Sequence, residues 1–578
     1  MKKFFRVVTL LFICHLSYSL FGQQDDVLVI VGNDTVTKSE FLATYSKNNS
    51  LADATEKDLR EYLSLFINFK LKVNEGKALK VDTSANFQRE LLSYRNQSAQ
   101  QYLIDKEVTE ALINEAFEHS KYHLRASHIL IKCSESPKDT LAAYKKAMQI
   151  RNEILNGLDF GDAAVKYSDD PSARDRVSPQ NNRFQPGNKG DIGYFTVFNV
   201  IYPFETAAYN TPVGTISMPV RSIIGYHLIY VTDKIPAIEK ISIAQIFIQD
   251  SLAKNGKMLP ETKAKLDFIQ KKLKKGEAFA EMVTQYSDDK SSISKGGVVD
   301  PFAPQRRQGD FVKSCISLEI DDYSEPIPTF HGWHIVKLNN IEYIKPSEES
   351  KYFLKNKISR DARSFKSQEA LIEKLKEEYF YHEKGKKAAF IFLVKNMPVE
   401  YFQSTKTNLE DLPGIDDLKP IFTFAGRAVT VKEFAKFISR FQGLTPEKDI
   451  VAFLEEKYPD FVTETMLKFE NENLEAKYPE FKNLVTEYHE GMILYEINSA
   501  EVWMKAVQDT VGLRAYYEEI KNNYPISEQD PTPQAFEDIK ATIINEYQNY
   551  LEKNWLERLR AKYPVVVDEK VFSSILKK

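Results

Sequence analysis

At 578 residues the chain is several times the usual domain length of about 100–150 residues, so it must hold several structural units. Hydrophobic residues at 43% and charged residues at 28% supply several apolar cores and exclude global disorder. A formal net charge of −4 offers no basic surface to phosphates, which sets a nucleic-acid partner aside.

The chain opens with Met1-Lys2-Lys3-Phe4-Phe5-Arg6, an apolar run from Val7 to Leu16, and the small-residue exit Ser17-Tyr18-Ser19-Leu20-Phe21-Gly22. Residues 1–22 therefore read as a cleaved export signal, too short in its apolar run to span a bilayer. No later stretch approaches spanning length, and the mature chain is expected to carry no membrane span. Cys14 lies within the signal, leaving Cys133 and Cys315 far apart, so stability is expected from cores and not from a disulfide framework. The nine histidines include no pair at a ligand spacing backed by cysteine or acidic partners, and no metal is expected.

Residues 23–123 are expected to be helical. LREYLSLFINFKLKV places Leu59, Tyr62, Leu63, Phe66, Phe69 and Val73 at helical spacing. Two tandem copies of one domain follow, at 124–235 and 240–343. The first runs RASHILI, a helical stretch, YSDDPSA, GDIGYF, YPFETAAY and GYHLIYV; the second runs ISIAQIFI, a helical stretch, YSDDKSS, GGVVDPF, DFVKSCI and GWHIVKL. A strand, then helices, then closing strands is an α+β pattern in which distant strands meet in one sheet. Lys345-Pro346-Ser347 is a linker into 347–578, a mainly helical module. There Lys351–Lys387 reads as one long amphipathic helix with Leu354, Ile358, Phe365, Ile372, Leu375 and Tyr379 as its stripe. A weaker repeat brackets the pair: VIVGNDTVTKSEF ending at Phe41 resembles FTFAGRAVTVKEF ending at Phe434, 393 positions on. The spacing is nearly kept by Phe87 with Phe481 and Tyr94 with Tyr488.

Strand alternation groups His128 with Ala126 and Leu130, and His227 with Ile229 and Val231. If the terminal strands of the repeat pair, the two imidazoles converge; two separate sheet histidines is the other reading of the same pattern. The set RASHIL, YSDDPSA, GDIGYF, PFETAAY and GYHLI resembles the parvulin family of peptidyl-prolyl isomerases, in order, across the first repeat. With helical segments on both sides of two repeats, the architecture looks like the SurA type of periplasmic folding factor. The resemblance implies two small antiparallel sheets with helices, flanked by chaperone modules, and no cofactor. It places His128, His227 and Asp170 at the catalytic centre, as a hydrogen-bonded histidine pair orienting the aspartate, with Ile192, Val200 and Phe204 lining a proline pocket. Asp170 also suits a turn and helix N-cap, and Phe204 also suits a core.

The second repeat departs from the pattern. Gln245 stands where the first histidine belongs, His334 keeps the second, and Asp300-Pro301 replace the usual glycine before the aromatic. Gln245 can donate and accept hydrogen bonds without matching an imidazole's shape, so this copy is expected to bind peptide or serve as a spacer. The first repeat carries an inserted, turn-rich loop, VSPQNNRFQPGN at 177–188, expected beside its own site. KCSESPKD after RASHILI holds no arginine cluster, and phosphate dependence is not expected. The implied function is exported prolyl isomerisation in the first repeat, fused to a chaperone for unfolded, proline-containing polypeptides such as outer-membrane precursors in the periplasm. The alternative is a non-catalytic, client-binding chaperone that keeps both repeats as scaffold.

Overall fold

The computed structural model describes residues 26–47, 49–133, 137–177, 184–253, 257–402, 408–442, 449–528 and 530–576; the export signal expected at 1–22 lies outside them. Two compact units result: the chain up to Tyr102 joins the chain from Glu470 onward, and Leu103–Phe469 forms the other. The segment 347–578, expected as one helical module, is thus shared between both units. The N-terminal flank also ends earlier than 123, because helix Lys106–Ser120 packs Leu112, Ile113 and Ala116 against Val197 and Tyr202 of the first repeat. No helix among the described residues is long and apolar enough to cross a membrane.

In the unit built from both termini, strand Val27–Val31 is central, with Asp34–Thr37 on one side and Val565–Val567 on the other, all antiparallel. Thr37 caps the following helix, its hydroxyl accepting the Glu40 N–H, and Phe41 one turn later is fully buried. Helix Glu56–Ala78 opens with a reciprocal Thr55–Asp58 capping box and buries Leu59, Leu63, Phe66, Ile67 and Leu71 against Trp555 and Leu559. A buried Lys70–Glu490 ion pair at 2.8 Å and the stacked rings of Tyr94 and Tyr488 join the two halves. The bracketing repeat is structural: in the other unit Phe422–Phe424 and Arg427–Val429 form the same hairpin, Thr430 caps Val431–Ser439, and Phe434 is fully buried.

The two tandem repeats carry the elements numbered here. The first has β1 (Tyr122–Lys132), α1 (Pro137–Leu155), α2 (Phe160–Tyr167), β2 (Asp191–Phe195), α3 (Tyr202–Asn210), β3 (Val220–Ser222) and β4 (Gly225–Pro236). The second has β5 (Ile238–Gln249), α4 (Pro260–Leu273), α5 (Phe279–Tyr286), α6 (Gly309–Ile316), β6 (Ile327–Thr329) and β7 (Gly332–Tyr343). The terminal strands do meet: β1 pairs with β4 in the sheet β2-β1-β4-β3, and β5 pairs with β7 in the sheet β6-β7-β5. Alternation sends Ile129, Ile131 and Leu228 under α1 and α2, leaving Ala126, Ile229 and Val231 to the opposite face with α3.

The long helix expected over Lys351–Lys387 is interrupted, running as Ser350–Ile358 and Ser364–Glu378 before Lys386–Asn396 begins. Leu354, Ile358, Ile372 and Leu375 are buried as expected, but Phe365 is 61% exposed. The break turns Arg363 inward, where it is completely buried against Glu205 of α3.

Candidate active site

The β1–β4 register sets Leu130 opposite His227 and His128 opposite Ile229, so the two histidines are diagonal neighbours on one face. Their rings lie 5.8 Å apart and within 16° of parallel. Phe204, projecting from α3, presents its ring edge-on to both, at 5.7 Å from His128 and 5.5 Å from His227. Asp170 serves in both ways open to it: one carboxylate oxygen caps the Pro171–Ala173 turn by accepting the Ser172 N–H at 2.9 Å, and the other accepts from His128 Nε2 at 2.9 Å. Ile192 and Val200 join Phe204 in one apolar cluster with Phe195 and Val220, so the six residues singled out in the sequence converge.

The expected hydrogen bond between the imidazoles is not formed. Each ring is held by its own partner, His128 by Asp170 and His227 by the Ser222 hydroxyl at 2.8 Å, while both Nδ1 atoms are buried without a hydrogen-bond partner among the described residues. The diagonal register is the cause, since it faces the rings toward one another instead of edge to edge. Ser222 escaped the sequence reading; the signal for it was the tight VRSIIGYH hairpin, which folds β3 back on His227.

Burial pushes His227 down to about 4, with His128 and Arg221 adding to the effect and Asp170 opposing it. Burial likewise holds His128 below its ordinary value against the pull of Asp170. Burial would raise Asp170, but the Ser172 N–H and hydroxyl and the His128 ring outweigh it and keep the carboxyl below its usual range. At neutral pH the site therefore holds two neutral imidazoles and one carboxylate. Because a carboxylate only accepts, the His128 proton resides on Nε2.

The second repeat builds the same scaffold with a different relay. Gln245 Nε2 donates to Asp289 at 2.8 Å, its Oε1 accepts from His334 Nδ1 at 3.0 Å, and His334 Nε2 lies 3.0 Å from the Thr329 hydroxyl. Phe311 stands edge-on to His334 at 5.4 Å, as Phe204 does to His227. Burial pushes His334 down to about 4, and Arg307 adds to it. Asp289 is lowered to about 2 despite burial, by Ser291, Ser292 and Gln245. The glycine after the aspartate turn is Gly190 in one copy and Gly297 in the other, 107 positions apart. At φ of +86° and +87°, a Cβ there would strike the carbonyl oxygen of His128 or Gln245 at 2.7 or 2.6 Å.

A family model for the PPIC-type peptidyl-prolyl isomerase domain matches residues 128–233 and again 246–340. Both repeats belong to the parvulin family. Relatives with the name Chaperone SurA include one from Idiomarina loihiensis, 31% identical over 39% of this chain and 50% of the relative. Another, from Vibrio cholerae, is 25% identical over 58% of this chain and 66% of the relative. The chain spans about half the length of the first of these curated relatives. Among solved structures, the peptidylprolyl isomerase PrsA from Bacillus anthracis is 27% identical over 23% of this chain and 59% of that one, with a TM-score of 0.17.

The surroundings of the two parvulin sites differ. Beside the first, Val197, Phe198 and Tyr202 pack under helices Lys106–Ser120 and Ser350–Ile358, and Glu205 is clamped bidentately by Arg363 at 2.9 and 3.1 Å. The second opens on a cavity of about 820 Å3 lined by Gln245, His334, Thr329, Phe247, Phe311 and Phe330 among others. Where the inserted loop begins, Arg176–Val177 pairs with Phe184–Gln185, and the Phe184 ring stacks 5.9 Å from Phe330. Its described part thus meets the rim of the second parvulin cavity through Phe184, while its other end lies beside its own site, where the Asn188 N–H donates to the Ser172 carbonyl at 2.8 Å next to Asp170.

Proposed function

We propose that this chain is an exported prolyl isomerase and chaperone, with catalysis in the first parvulin repeat, 124–235, and client holding by the flanks. The observation that carries the reading is the convergence of His128, His227, Asp170 and Phe204 around one desolvated spot. Rotation about an X-Pro bond faces a barrier of about 18–20 kcal/mol, and no bond breaks, so no nucleophile is required. What the site must do is bind the twisted amide better than either planar isomer, gaining tenfold in rate for about each 1.4 kcal/mol of preference. Phe204, Ile192 and Val200 would grip the proline ring and exclude water. Planar amides carry more negative charge on the carbonyl oxygen than twisted ones, so an apolar enclosure raises the ground state relative to the transition state. His128 and His227, neutral and held by Asp170 and Ser222, shape the polar floor without covalent chemistry. Residues 1–22 support export to the periplasm, and the clients would be unfolded, proline-containing polypeptides such as outer-membrane precursors.

A proline-peptide isomerisation assay comparing the full chain with His128→Ala and His227→Ala tests this. Both variants are expected to lose at least tenfold in kcat/KM, a loss of about 1.4 kcal/mol of transition-state binding. Equal, background rates in all three proteins would defeat the enzymatic claim. That outcome would favour the non-catalytic chaperone, which draws support from the packing of Val197, Phe198 and Tyr202 beneath helices; suppression of client aggregation by the same variants then reports the remaining function.

A further inference from the structure

Phe195 and Phe204 of the first repeat correspond to Phe302 and Phe311 of the second, both 107 positions on. The same offset relates Asn188 to Lys295, Asn199 to Arg306 and Val200 to Arg307. Three neutral positions around the first site have thus become three cations around the second, and all three line its cavity of about 820 Å3. Among the described residues none of the three has a carboxylate within ion-pairing distance; Arg307 instead lies over the Phe302 ring at 5.2 Å. The cavity holds two carboxylates, Asp289 and Asp300, and Asp289 is already taken by Gln245, Ser291 and Ser292. The remaining field is positive, on a chain whose overall charge is −4.

Cations left unpaired beside an aromatic recess form a two-part receptor. Phe247, Phe311 and Phe330 offer an apolar seat, and the guanidinium groups offer planar donors suited to a carboxylate. The Thr329–His334–Gln245–Asp289 chain closes the floor with its hydrogen bonds satisfied internally, so the floor makes no demand on the ligand's charge. Phe184, stacked on Phe330, extends the aromatic rim from the first repeat.

We propose that the second repeat is a receptor for polypeptide segments in which an acidic side chain immediately precedes proline, with the proline ring against the three phenylalanines and the carboxylate on Arg306, Arg307 and Lys295. This rests on the parvulin reading for the proline seat, but not on turnover in the first repeat. The charge preference comes from residues the first repeat lacks.

The test uses the full chain and two fluorescent peptides, Ala-Glu-Pro-Phe and Ala-Gln-Pro-Phe, followed by anisotropy. The Glu peptide is expected to bind about tenfold tighter at low salt, the preference shrinking as salt screens the exposed cations. In K295Q/R306Q/R307Q that preference should vanish while the affinity for the Gln peptide stays unchanged, which also shows that the variant is folded. Location is read separately: the chain has three tryptophans, and only Trp333, next to His334, lies in a repeat. Trp333 faces the core beneath the sheet and not the cavity, so a through-space probe is needed: with 5-fluorotryptophan incorporated, a nitroxide-labelled Glu peptide should broaden the Trp333 signal, assigned by W333F. Equal affinities for the two peptides, a preference that survives K295Q/R306Q/R307Q, or a Trp333 signal left sharp by the nitroxide peptide would each overturn the proposal. None of these readouts depends on isomerase activity, so a failed catalytic claim and a failed receptor claim are told apart.

Discussion

A half-buried carboxylate needs donors, and the two parvulin repeats supply them differently. Asp170 takes one from a histidine ring and Asp289 one from a glutamine amide. In both copies the imidazole on the partner strand is desolvated, and that has a pH consequence. His227 falls to about 4 when folded, against an ordinary value of about 6.5 in the unfolded chain. Between those two values the unfolded state binds more protons, so stability declines as pH falls from about 6.5 to about 4, by about 3 kcal/mol for a fully expressed shift. His334 acts in the same direction. Urea melts of the full chain between pH 7 and 4 should show this slope, and His227→Asn should flatten it; a slope unchanged in the variant would contradict the buried neutral imidazole. Much of this site was legible beforehand, because His128 and His227 lie on strands whose period of two fixes their faces. What escaped was register-dependent: Ser222 needs the hairpin geometry, and the unpartnered Nδ1 atoms and the Gln245 bridge need the actual separation of side chains.

Helix α3 works on two faces with consecutive residues. Phe204 projects to the histidines, and Glu205 turns the other way into a fully buried pair with Arg363, supplemented by His119 at 3.2 Å and the Phe198 N–H at 2.7 Å. The corresponding residue of α6 is Val312, buried in an apolar core, so the charge belongs to the docking of the first repeat and not to the parvulin fold. Removing one member of such a pair leaves an uncompensated buried charge. Arg363→Met is therefore expected to cost about 3–5 kcal/mol, with much of the loss recovered in Arg363→Met/Glu205→Val. Denaturant titration of the two variants checks this, and additive losses would show that the pair is not coupled. The same contact explains why periodicity misread Lys351–Lys387 as one helix. Leu354, Ile358, Ile372 and Leu375 satisfy a continuous stripe, yet the chain breaks at Ser359–Arg363 so that Arg363 can reach Glu205.

Across the whole chain, the hairpin-and-helix motif at Phe41 and its counterpart at Phe434 were legible from their shared TVTKSEF-like pattern. The partner of the first motif was not, because the short run Val565–Val567 carries no signal of where it pairs. That pairing sets a folding order. Val29 opposite Val567 closes a loop of 538 positions, whereas Ser127 opposite Tyr230 in the first parvulin sheet closes 103. With closure entropy growing as about 1.5RT times the logarithm of loop length, the longer closure costs about 1.5 kcal/mol more, roughly a tenfold slower step. Prior folding of Leu103–Phe469 shortens the effective loop, which reinforces the same sequence of events. Pulse-labelling hydrogen exchange during refolding of the full chain should therefore find the β1 and β4 amides protected before those of Val27–Val31, by about an order of magnitude in time. Simultaneous protection of both sheets would mean that the terminal strands are brought together by early contacts among the flanks, and that loop length does not govern assembly of the unit they share.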